Sequence, residues 1–128
     1  MKVTYTDVIN AFHSRFTDRY EVPEALEEHW FAEAVSEFEL EVYSLEYDTD
    51  TQEFGKELPA LATTLGTMMY VRYLTKELSR VLKLNGIMGK DLSITGGDGT
   101  KRVTNQELIA EREQVSTLLY KYKEKAMG

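Results

Sequence analysis

The sequence predicts an all-α protein: a four-helix bundle-like domain with a β-hairpin or extended arm before the last helix. Apolar residues recur every three or four positions through most of the chain, which is typical of amphipathic helices. The 128 residues, 42% hydrophobic and 29% charged, suit one globular core. One stretch, about 87–103, alternates like a strand. We therefore expect residues 1–128 to form a single helical domain with an arm at about 87–103.

The first helix is predicted over about 7–18, because Thr6 and Asp7 offer capping oxygens. Apolar residues follow at helical spacing: Val8, Ile9, Phe12 and Phe16. A second helix is predicted over about 24–44. Pro23 suits its first turn, and glutamates after it favour the positive end of the helix dipole.

The apolar stripe of the second helix recurs every fourth residue and comprises Leu26, Trp30, Ala34, Phe38 and Val42. Trp30 on this stripe is expected in the core. The polar stretch from Glu46 to Gly55 predicts a loop.

The third helix is predicted over about 58–84 and is apolar on more than one side, so we expect it to be the central element. Gly66 indicates either a close crossing with another helix or a tolerated glycine in a good helical pattern. Asn85 and Gly86 are expected to end this helix.

The arm is predicted where Leu92 and Ile94 alternate with polar residues, before the turn-forming glycines of residues 96–99. Because a lone two-stranded hairpin is marginal in water, it should pack on the bundle or pair with another subunit. A fourth helix is predicted over about 105–125, with Thr104 and Glu107 as its capping box.

The histidines and carboxylates do not form a recognisable metal motif. His29 and Glu33 are one helical turn apart, but the Glu-x-x-His motif of di-iron bundles needs an acid where this chain has Leu26. Both histidines, His13 included, are therefore expected to be structural. The run from Asp48 lacks the glycine and the final glutamate of a calcium loop.

Other chemistry is also missing from the sequence. The chain has no cysteine, which excludes thiol chemistry and is compatible with the cytosol, and no serine lies in a Gly-x-Ser-x-Gly elbow. We therefore expect no enzyme activity, no catalytic residues, no cofactor and no metal. An enzyme is the third possibility, and it requires polar groups that converge in a pocket.

Charge is segregated along the chain. Residues 1–57 contain 15 acidic and 4 basic residues, a net charge of −11, whereas residues 58–128 contain 7 and 11, a net charge of +4. This indicates either helix faces solvated by different charges or complementary surfaces on neighbouring copies. The overall charge of −7 disfavours a DNA or RNA reader, and no apolar run approaches the roughly 20 residues that span a bilayer.

Three segments carry a resemblance to a known family: the helix 58–84 with Tyr-Val-Arg-Tyr-Leu at residues 70–74, the arm at residues 89–95, and the capped helix from Thr104. In this layout the chain resembles the head-tail connector, or adaptor, proteins of long-tailed bacteriophages and prophages. The resemblance implies a ring of about a dozen copies between the portal protein and tail-side connector proteins. DNA would pass through the ring without sequence-specific binding, and no membrane would be involved.

The resemblance also implies a place in the virion, at the head-tail interface, after synthesis in the bacterial host cytoplasm. Residues proposed for subunit or portal contacts lie in the arm: Lys90, Asp91, Ile94, Lys101 and Arg102. The alternative is a small cytosolic helical regulatory or scaffolding domain that binds one protein partner. That alternative explains the helices equally well but the arm less naturally, because the arm costs backbone entropy to order.

Overall fold

The computed structural model describes residues 2–16, 22–88 and 98–127, and the side-chain surroundings of residues 2–16, 22–80 and 105–125. In these parts the chain forms four helices and one short antiparallel hairpin: α1 (Tyr5–His13), α2 (Glu24–Glu41), β1 (Tyr47–Asp48), β2 (Glu53–Phe54), α3 (Leu61–Met88) and α4 (Asp98–Met127). This confirms the all-α, four-helix class with a hairpin before the last helix.

Helix α3 is central, as its pattern predicts, because α1, α2 and α4 all pack against it. Its residues 64–70 are buried without interruption. Two of them are threonines, and each donates its hydroxyl hydrogen to a carbonyl one turn earlier, Thr64 to Ala60 and Thr67 to Thr63. Trp30 is 6% exposed, which confirms its predicted place in the core.

Gly66 lies where α3 crosses α1. A Cβ atom at this position would be 2.9 Å from the Cβ of Ala11 and 2.9 Å from the backbone nitrogen of Phe12. Contacts this short with backbone cannot be relieved by turning a side chain. The structure therefore selects the close crossing over the tolerated glycine.

Helix α1 begins earlier than the predicted residue 7. Thr4 caps it, because the Thr4 hydroxyl accepts a hydrogen bond from the Asp7 amide at 3.2 Å and the Asp7 carboxylate accepts one from the Thr4 amide at 3.0 Å. The helix ends at His13, short of 18. Helix α2 starts at the predicted residue, with Pro23 as its N-cap, and ends at Glu41 rather than 44.

The hairpin lies in the segment predicted as a loop. Tyr47 pairs with Phe54 and Asp48 with Glu53. The Asp48 carboxylate accepts a hydrogen bond from the Asp50 amide at 2.8 Å, which closes the turn. Strands this short are stable here because Phe54 is fully buried and its amide donates to the carbonyl of Val3 at 2.9 Å.

The predicted arm at about 87–103 is wrong at both of its ends. Helix α3 continues past Asn85 and Gly86 to Met88, and α4 begins at Asp98, so Thr104 lies inside α4 and not at its cap. Residues 89–97 lie outside the described residues. Extending an existing helix adds one hydrogen bond per residue without a new nucleation cost, which outweighs the local turn signals at both boundaries.

Candidate binding surfaces

A groove of about 370 Å³ opens between the start of α1, the middle of α2 and the hairpin. We call it the acidic groove; its lining residues are Tyr5, Glu28, Phe31, Ala32, Val35, Tyr47, Thr49 and Gln52. The amide of Tyr5 donates to the carbonyl of Gln52 at 2.9 Å, so the backbone joins two of its walls.

Aromatic rings form the walls of the acidic groove. The Phe31 ring makes edge contacts with Tyr5 and Tyr47, at centroid distances of 4.7 and 5.2 Å. Phe31 is 6% exposed, whereas Tyr5 and Tyr47 are half-buried. Because the three rings hold one another in place, the groove is preformed for an apolar side chain.

Carboxylates lie close to Tyr5 in the acidic groove. The pKa of Tyr5 is raised from 10.0 to about 12. Burial is the largest cause, and the negative charges of Glu28, Glu27 and Glu24 contribute less, in that order. Glu24 and Glu28 are exposed, and within the described part of the chain neither forms an ion pair. The negative charges of these two carboxylates are therefore available to a partner at the rim of the acidic groove.

An exposed face of α4 carries the opposite charge. Leu118 is half-buried, and Lys121 and Lys125 are exposed three and seven positions later, on the same side of the helix. We call these three residues the basic ridge. Among the described residues neither lysine has an ion pair, whereas the neighbouring Lys123 lies 2.6 Å from a carboxylate oxygen of Glu41.

A buried tyrosine holds the basic ridge in place. Tyr122 is 7% exposed, and its hydroxyl donates to the carbonyl of Pro59 and lies 3.2 Å from the hydroxyl of Thr64. These contacts anchor the second half of α4 to the start of α3. The three ridge residues line a hollow of about 400 Å³ together with Pro59, Ala60, Tyr122 and Glu124.

A second groove, of about 630 Å³, lies between α2 and α4 above α3. Much of its charge is neutralised inside the chain. Arg72 lies 2.8 Å from a carboxylate oxygen of Glu37, and the pair of Lys123 and Glu41 joins the two rims. Two ion pairs within the chain therefore involve residues that line this groove.

A polar cluster links the end of α1 to α3 and α4. Arg15 forms an ion pair with Glu111 and lies 5.1 Å from the ring centroid of Tyr70. The Tyr70 hydroxyl donates to Glu107 at 2.5 Å; burial, and then this hydrogen bond, raise the pKa of Tyr70. Glu111 is 8% exposed, and its second carboxylate oxygen has no hydrogen bond among the described residues.

Both histidines contact glutamates. His29 lies 3.3 Å from Glu33, the pair that the sequence indicated, and His13 lies 2.7 Å from Glu27. Sequence spacing did not reveal the second pair, because Glu27 comes from another helix. In the parts of the chain that the structure describes, no three histidine or carboxylate side chains are grouped to hold a metal ion.

The structure describes only two of the five predicted interface residues. Lys90, Asp91 and Ile94 lie outside the described residues, and Lys101 and Arg102 belong to the first two turns of α4 instead of a strand.

The acidic groove and the basic ridge were not predicted from the sequence. The lysines of the ridge were interpreted only as charges at a helix end, and the groove is assembled from three separate elements. The segregated charge was the one signal that pointed toward these surfaces.

Comparison with known proteins finds no match: neither a family model, nor a curated protein, nor a solved structure is similar to this chain. None of the helices, over their described residues, is long and apolar enough to cross a membrane. Function is therefore inferred from the acidic groove and the basic ridge themselves.

Proposed function

We propose that this chain is a structural adaptor that works by binding proteins, and that it forms the ring of a phage or prophage head-tail connector. The observation that carries the proposal is the pair of oppositely charged surfaces, the acidic groove and the basic ridge. They lie on different elements and share no residue. A subunit with two different complementary surfaces can bind a neighbour on each side, and such head-to-tail contacts close into a ring when the rotation between neighbours divides a full turn evenly.

A ring of this kind suits the conduction of DNA. With a charge of −7 per copy, a ring of about a dozen copies repels phosphates, so DNA slides through it without being held. Portal and tail-side connector proteins are the expected partners, and the virion head-tail interface is the expected location. The five residues predicted from the sequence, Lys90, Asp91, Ile94, Lys101 and Arg102, remain proposed contacts to these neighbours.

The ion pairs that the described charged groups form inside the chain favour a binding role over a catalytic one. Arg72 with Glu37 and Lys123 with Glu41 each join two different helices, and Arg15 with Glu111 joins the turn after α1 to α4. A general acid or base has to face bound substrate in a cavity. Groups committed to ion pairs between helices stabilise the fold and leave recognition to the surfaces.

Light scattering after size-exclusion chromatography, at low and moderate salt and at high protein concentration, tests this proposal. We expect a species of about a dozen copies, visible as a ring by electron microscopy. The monomer mass of 14.7 kDa gives the reference. A strict monomer, both alone and after mixing with the portal protein of the same particle, contradicts the proposal.

The alternative, a regulatory or scaffolding domain with one partner, is favoured by exposed apolar residues outside the groove. Leu40 is 88% exposed and Tyr120 is 64% exposed. Large exposed apolar side chains are typical of protein-binding surfaces. This alternative predicts a monomer or dimer that forms a complex of fixed small stoichiometry, and the same light-scattering measurement separates it from a ring.

A further inference from the structure

We propose that the acidic groove of one copy receives the basic ridge of the next copy. The inference rests on the proposed assembly and names the two surfaces that would meet in it. The partner is therefore a second copy of this chain. One copy contributes its acidic groove to the contact, and the other contributes its basic ridge. The case depends on apolar contact, on charge spacing and on the independence of the two surfaces.

Both surfaces offer apolar contact. The acidic groove is walled by the rings of Phe31 and Tyr47, and the basic ridge is one face of α4. Leu118 is the apolar residue of the ridge and is only half-buried in the isolated subunit. Placing it against the two rings would bury it further, in the manner of a helix that lays its apolar face into a groove.

The charges have matching spacing. Glu24 and Glu28 are four residues apart on α2, and Lys121 and Lys125 are four residues apart on α4. Four residues of helix rise about 6 Å, so both glutamates face both lysines when the two helices lie side by side. All four side chains are exposed and lack ion pairs among the described residues, so their charges are free for a neighbour.

The same charges disfavour a symmetric dimer through either surface. In a dimer formed through two acidic grooves, Glu24 and Glu28 of one copy would face the same glutamates of the other copy. In a dimer formed through two basic ridges, lysines would face lysines. Like charges brought together across an interface raise its free energy. Because the two surfaces share no residue, one copy can use both at once and continue the assembly.

Charge reversal tests this pairing. We expect Glu28→Lys and Lys121→Glu each to elute as a monomer near 14.7 kDa under conditions where the wild type assembles. Mixing the two variants in equal amounts should restore the assembled mass, because an acidic ridge then meets a basic groove and a basic ridge meets an acidic groove. Glu113→Lys and Lys76→Glu are the matched controls, since both residues are exposed and lie outside the two surfaces.

Cross-linking provides a second measurement, because the chain contains no cysteine. A mixture of Ala32→Cys and Leu118→Cys should form a disulfide-linked dimer on mild oxidation, since Ala32 lines the groove and Leu118 belongs to the ridge. Ser36→Cys, exposed on α2 and outside the groove lining, serves as the control in place of Ala32→Cys and should give little dimer.

The outcomes separate this inference from the proposed function. Single charge variants that assemble like the wild type, or a loss of assembly that mixing does not reverse, overturn the pairing and leave the ring standing. A wild type that stays monomeric under all conditions overturns both. Circular dichroism of each variant shows whether a loss of assembly reflects unfolding, and in that case the cross-linking result decides.

Discussion

Helix α3 is joined to its neighbours in two different ways. Toward α1 the contact is apolar and aromatic, with Phe12 fully buried. Toward α4 and α2 apolar packing is supplemented by polar contacts, among them Tyr70 with Glu107 on α4 and Arg72 with Glu37 on α2. Apolar burial supplies most of the free energy but is non-directional, whereas hydrogen bonds and ion pairs fix orientation.

This difference matters for the proposed assembly, because the basic ridge lies on the helix that is held by polar contacts. Tyr122 anchors α4 through its hydroxyl, next to Lys121 of the ridge. A change in the apolar contact should therefore lower the stability of the whole domain. A change in the polar contacts should lower the stability somewhat less and should also shift the position of α4.

The largest expected effect comes from the apolar side. Phe12→Ala removes a fully buried ring that contacts Trp30 and Phe16, at centroid distances of 6.1 and 5.2 Å. We expect the free energy of unfolding in urea to fall by about 3 to 5 kcal/mol. Ile109→Ala, at a residue 49% exposed on α4, is the control and should change it by less than about 1 kcal/mol. If Phe12→Ala and Ile109→Ala lowered the free energy of unfolding equally, burial in the apolar contact would not be the source of the stability.

A somewhat smaller effect is expected at the polar side. Arg15→Met leaves the buried carboxylate of Glu111 without its cation, and we expect a loss of about 3 kcal/mol in the free energy of unfolding. The double variant Arg15→Met with Glu111→Leu should recover most of that loss, because two apolar side chains then replace the pair. A double variant as unstable as the single one would show that the ion pair itself supplies stability.

The smallest effect is confined to alkaline solution. The pKa of Tyr5 is about 12 in the folded chain and near 10.0 in the unfolded chain, so above pH 10 the unfolded state loses this proton first. The stabilisation is complete below pH 10 and is lost as the pH rises through about 12. Urea unfolding over this range should show a shallower decline for Tyr5→Phe than for the wild type. An unchanged decline would mean that burial and the neighbouring carboxylates do not raise the pKa of Tyr5 in the folded chain.

The sequence predicted the helices better than their ends. The apolar stripes identified all four helices and the central place of α3, since periodicity reflects which face is buried. The start of α4 was missed because Gly99 and its neighbours favour a turn locally, while the helix behind them extends at little cost. The hairpin was missed because strands of two residues carry too little alternation to recognise.

The candidate surfaces were harder to predict than the fold. Glu28 and Lys121 are, in sequence, ordinary charges on the polar faces of helices. Their role in a surface depends on the residues that the fold places beside them. For Glu28 these residues include Tyr5, which comes from another helix. Neighbours brought together by tertiary packing leave no pattern at helical or strand spacing.

The absence of a side chain at Gly66 has a mechanical consequence for the acidic groove. Because α3 touches the backbone of α1 there, α1 cannot slide or roll along α3 without a clash. Helix α1 begins with Tyr5, one wall of the acidic groove, so the close contact at Gly66 helps to set the width of that groove. A methyl group added at Gly66 would push α1 away from α3 and so change the shape of the acidic groove.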